Sequence, residues 1–76
     1  MQSRQTVSAE YIQGIKDGRQ WCKQFNPDLD MLRDNVRNIK MTMREFSAGP
    51  VKDCLRGELH MIENAIKSRL TGIKED

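Results

Sequence analysis

Leu29, Leu32, Val36, Ile39, Met43 and Phe46 recur at alternating steps of three and four. A heptad seam of this kind places all its apolar side chains on one stripe of a helix. Such a stripe is stable only against another helix. The fold class expected is therefore all-α, with the seam covered by another segment of the chain or by a second copy. No run alternates β-branched and polar residues with period two, so no strand is expected.

Two breaks divide the chain. At Asn26-Pro27, Asn26 suits an N-cap and Pro27 the first helical position, where a missing N–H costs nothing. At Ser47-Ala48-Gly49-Pro50, Gly49 can take positive φ and Pro50 can start a helix. Residues 1–76 then form a single helical domain with helices at about 9–25, 27–46 and 50–70. Ser8 suits the first N-cap, with Glu10 in the first turn, and Gly72 suits the last C-terminal position. Residues 1–7 carry no period and are expected to fray; residues 73–76 read as a short tail.

The expected inner faces are Tyr11, Ile15, Gly18, Cys22 and Phe25 on helix one, and Val51, Leu55, Leu59, Ile62, Ala65, Ile66 and Leu70 on helix three. Glu63 and Lys67 have the spacing of an i,i+4 ion pair. Short links make consecutive helices antiparallel neighbours. Two packings fit: an up-down-up bundle, or a hairpin of helices two and three, with coiled-coil-like packing, that pairs with a second copy and is capped by helix one.

Size favours self-association. A chain of 76 residues buries only about 60% of its unfolded surface, so a lone core is marginal without a further constraint. The two cysteines, Cys22 and Cys54, and the one histidine, His60, lack metal-ligand spacing, so neither metal nor cofactor is expected. No N-terminal apolar run reads as a signal peptide, which points to a reducing cytoplasm and to cysteines acting as small hydrophobes. No segment approaches the ~18 apolar residues of a membrane span. A homodimer is the expected compensation.

No motif names a chemistry. His60 has Glu58 and Glu63 nearby in sequence, and Cys54 lies six residues upstream, but none of these forms a nucleophile, base and orienting group. Catalysis is not expected. In length, in the glycine pair on helix one and in its terminal amphipathic helix, the chain resembles small accessory proteins of phages and mobile elements, a likeness of type without a specific motif.

Four groups could bind a partner. Arg33, Arg37, Lys40 and Arg44 make a basic stripe beside the seam, which reads as a solvated coiled-coil edge, a surface for an acidic protein, or a contact for phosphates. Gly14 and Gly18 share one face, where a partner helix or another helix of the chain could approach closely. Trp21 lies off the main stripe and suits an interface; the plainer reading is an apolar lid. Met31, Met41 and Met61 fall beside or away from the seam and suit edge packing or an adaptable surface. The expected function is a non-enzymatic interaction protein: an adaptor, inhibitor or regulatory subunit that binds another protein and itself. A nucleic-acid-binding protein using the basic stripe and a purely structural oligomer are the alternatives.

Overall fold

The computed structural model describes residues 8–72; the expected frayed start and tail lie outside them. Three helices follow one another: α1 (Ala9–Phe25), α2 (Leu29–Met43) and α3 (Pro50–Thr71). Among the described residues there is no strand.

Helix α1 starts at Ser8, whose Oγ accepts the Tyr11 N–H at 3.1 Å and donates to the Asp53 carboxylate at 3.2 Å. One side chain thus caps α1 and ties its start to the first turn of α3. The helix ends differently from expectation. Asn26 takes the left-handed conformation (φ 46°) and its N–H bonds the Cys22 carbonyl, so it closes α1 instead of opening α2. The residue before a proline is disfavoured in the right-handed region, and asparagine tolerates the left-handed one. Asp28 is the N-cap of α2, accepting the Met31 N–H at 2.9 Å. Pro27 lies between the helices, buried, and its carbonyl accepts from Arg69 at 2.7 Å.

The end of α2 is a second correction. The helix stops at Met43, three residues before Phe46. The Glu45 N–H bonds the Thr42 carbonyl and the Phe46 N–H bonds that of Met43, both i→i+3. Such bonds advance the chain about 120° per residue, not 100°, and swing Phe46 off the seam into solvent. Helix α3 starts after Gly49, at φ 157°, and ends on Gly72 at φ 75°, as the sequence suggests.

The Ser8–Asp53 bond joins the N-terminal ends of α1 and α3, and Arg69–Pro27 brings the first turn to the C-terminal end of α3. The arrangement is up-down-up. Helices α1 and α2 both pack on α3, and not on each other. The molecule is a slab of 36 × 33 × 20 Å, about two helix diameters thick.

Leu32, Ile39, Leu59 and Ile62 form the core, with Trp21, Cys22, Val36, Met43, Leu55, Ala65 and Ile66 packed around it. The seam of α2 is covered by α3 of the same chain. Leu32 and Ile39 are buried, Leu29, Val36 and Met43 are half-buried, and Phe46 is not part of it. Phe25, Val51 and Leu70, expected inside, are exposed: they sit near helix ends, beyond the overlap with a neighbour.

Helix α1 reaches α3 through glycine. A Cβ on Gly14 would fall on the Cys54 carbonyl oxygen, and one on Gly57 on the Tyr11 carbonyl oxygen. The two backbones are therefore in contact at a reciprocal crossing. Gly57 escaped the sequence reading because a single glycine within an amphipathic helix has no pattern of its own.

Candidate interaction surfaces

Gly14 and Gly18 are buried against α3, so the close approach they permit is made within the chain and leaves them no surface for a partner. Trp21 is half-buried. Its ring lies 6.2 Å from that of Phe25, and it lines a groove between α1 and α2 with Asp17, Gly18, Asn35, Glu58 and Ile62. Trp21 both packs against the core and lines this groove.

Asp17 and Glu58, which line the groove, form a cluster of potential ligands with Cys54. Donor atoms of Asp17, Cys54 and Glu58 lie within 4.8 Å of one another. Burial, then the Asp17 carboxylate, holds the Glu58 carboxyl above its usual range. Burial, then Glu58, Asp17 and Glu10, pushes the Cys54 thiol up. Burial also raises Cys22, partly offset by Arg69. One sulfur and two carboxylates fall short of the four donors of a structural zinc site.

Ionised Glu58 is less favourable in the folded protein than in the unfolded chain. Its contribution is fully present below the ordinary value of 4.5 and is lost as pH rises through the raised value. Glu58→Gln keeps the shape and removes the charge. It is expected to raise the melting temperature at pH 7 and to flatten the fall in stability above pH 4.5. Thermal melts at a series of pH values check this; a variant that melts lower at pH 7 contradicts it.

Arg33, Arg37, Lys40 and Arg44 are all exposed, as a stripe at the seam's edge should be. Two are partly neutralised: Arg37 lies 3.8 Å from Asp34, and Lys40 lies 3.9 Å from Glu63 on α3. Glu63 therefore meets Lys40 across the helix pair, not Lys67 along its own helix as its spacing suggested. His60 shares a hydrogen bond of 2.7 Å with the Tyr11 hydroxyl and packs edge-on against its ring.

A second basic surface was missed. Lys16, Arg19, Gln20, Lys23 and Gln24 line a shallow depression on the outer side of α1. All five are exposed, and among the described residues none of the three cations has a carboxylate within ion-pair distance. The signal was present: Lys16, Arg19 and Lys23 follow steps of three and four on the side of α1 away from Gly14 and Gly18.

Comparison with known proteins gives no match. No family model fits the chain, and no curated protein or solved structure is significantly similar to it. The functional reading therefore rests on the surfaces themselves. Among the described residues, no helix is long and apolar enough to cross a membrane.

Proposed function

We propose that the chain is a small, non-enzymatic helical interaction protein of the cytoplasm that acts as a homodimer and works by binding another macromolecule. One observation carries this reading. Among the described residues, four large apolar side chains are buried, while seven (Ile12, Phe25, Met31, Met41, Phe46, Val51 and Leu70) are exposed. Phe25, Met31 and Leu70 lie toward the end where Pro27 meets Arg69, and Ile12, Met41, Phe46 and Val51 toward the opposite end. Covering such groups against a second copy supplies the burial that a core of four cannot.

The remaining features are consistent with this role. Both cysteines are free, which suits a reducing compartment, and both thiols are held up by burial, which makes them poor nucleophiles. Trp21 and the α2 stripe of Arg33, Arg37, Lys40 and Arg44 remain candidates for the heterologous surface. Nucleic-acid binding by that stripe is the weaker reading, because Arg37 and Lys40 already face carboxylates.

Sedimentation equilibrium tests the homodimer. The expected mass is twice the 8.8 kDa of the chain. A paired substitution, Phe46→Glu with Leu70→Glu, places a charge toward each end and is expected to yield a folded monomer. A wild type that remains monomeric at every concentration contradicts the dimer. A dimer that recovers no other macromolecule from its host's lysate, with or without nuclease, supports the purely structural oligomer instead.

A further inference from the structure

We infer that the outer face of α1 is a docking surface for double-stranded DNA, with Lys16, Arg19 and Lys23 meeting the phosphates and Gln20 and Gln24 facing the base edges. This rests on the reading above that the protein acts by binding another macromolecule, and it names that macromolecule.

The first argument is charge. Glu10 and Asp17 are the acids of α1. Both fall toward the side of the helix that carries Gly14 and Gly18, and Asp17 lines the groove shared with Glu58. Lys16, Arg19 and Lys23 share a stripe that carries no carboxylate, and exposed Asp17 borders the neighbouring row of Gln20 and Gln24. None of those cations is ion-paired among the described residues. On α2, by contrast, half of the basic stripe already faces acids.

The second argument is chemistry. A protein partner is usually anchored by aromatic or aliphatic side chains at the centre of the contact. Ile12, at one end, is the large apolar side chain exposed on this side of α1. Between and beside the cations stand amides, Gln20 and Gln24. Glutamine can pair bidentately with adenine in the major groove, and lysine and arginine meet phosphate or guanine. Protein–DNA interfaces have this polar, cationic composition.

The third argument is access. Among the described residues, helix α1 packs on α3 alone and nothing covers its outer side. An α-helix with its side chains is about 10–12 Å across, and the major groove of B-form DNA is about 12 Å wide. Lys16 and Lys23 are about 10 Å apart along the axis, a span that two or three phosphates can meet.

Fluorescence anisotropy with a labelled 20-base-pair DNA duplex, using the full chain, tests the assignment. Saturable binding is expected, weakening with salt at a log–log slope of about −2.7 for three phosphate contacts. The triple substitution Lys16→Gln, Arg19→Gln, Lys23→Gln is expected to weaken binding by about tenfold or more at low salt. These positions are exposed, so the variant is expected to remain folded, which circular dichroism checks. A Lys52→Gln, Lys67→Gln variant on α3, outside every surface assigned to a partner, is expected to bind as the wild type does. Absence of saturable binding, or a triple variant that binds like wild type, overturns the assignment. Equal binding of polyglutamate also overturns it, because the face would then suit an acidic protein. Sedimentation of the same samples keeps the two readings apart: a dimer that ignores DNA leaves the proposed function standing and removes only this partner.

Discussion

Alanine at Gly57 or at Gly14 is expected to lower the melting temperature by about 10 °C or more. Helix propensity predicts the reverse, since alanine in a helix interior is favoured over glycine by about 1 kcal/mol. The crossing decides the sign. At each position the new methyl would fall on a backbone carbonyl of the facing helix, Cys54 for Gly14 and Tyr11 for Gly57. A backbone cannot turn aside as a side chain can, so α1 must lift from α3. Overpacking costs about 1–3 kcal/mol and more where relief is blocked, which leaves a net loss of about 2 kcal/mol after the propensity gain. In a domain this small each 1 kcal/mol is worth about 4–8 °C. Gly18→Ala supplies the control. Its nearest neighbour would be the Met61 side chain at 3.1 Å, which can rotate away, so a change near zero is expected. Thermal melts of the three variants separate crossing from propensity; Gly14→Ala melting at or above wild type contradicts the reciprocal contact.

Ile62→Ala should have the larger effect. Ile62 has no exposed surface, belongs to the core of four and floors the groove between α1 and α2. Truncating a buried isoleucine costs about 2–5 kcal/mol, depending on how far the surroundings collapse. Three helices meet near this residue, and so small a domain has little reserve. The variant is expected to lose cooperative unfolding at 25 °C. Urea titration followed by Trp21, the single tryptophan, checks this, because its ring packs on the same core. Leu70→Ala is the contrast. At 61% exposure its removal should leave the fold of one chain within about 0.5 kcal/mol while weakening the dimer. An Ile62→Ala variant with a wild-type transition would mean that the core lies elsewhere.

Much of the fold was legible because periodicity and punctuation agreed. The seam from Leu29 to Met43 named a helix and demanded a partner, and Ser8, Gly49 with Pro50, and Gly72 marked boundaries where the structure has them. Errors fell where two local rules competed. Pro27 read as a first helical residue pointed to Asn26 as the cap of α2, but Asn26 closes α1 in the left-handed conformation and Asp28 is the cap. Phe46 continued the heptad on paper, but the i→i+3 turn rotated it out.

Candidate surfaces were harder to read, since a face acquires meaning only when its neighbour is known. The glycine pair announced a close approach without saying to what; Gly57 supplies the answer within the chain. The α2 stripe drew attention because it flanks the seam. The stripe on α1 is the less neutralised, and this follows from where Glu63 and Asp34 place their carboxylates.

Melting temperature as a function of protein concentration tests the central claim most directly. The claim is that the chain completes its burial against a second copy. Mass action then makes the midpoint rise with concentration, since dissociation accompanies unfolding. A steady rise across a hundredfold range of wild-type protein is the result expected, with the rise abolished in Phe46→Glu, Leu70→Glu. A midpoint that stays constant across that range would mean that the four-residue core suffices alone, and would contradict the account.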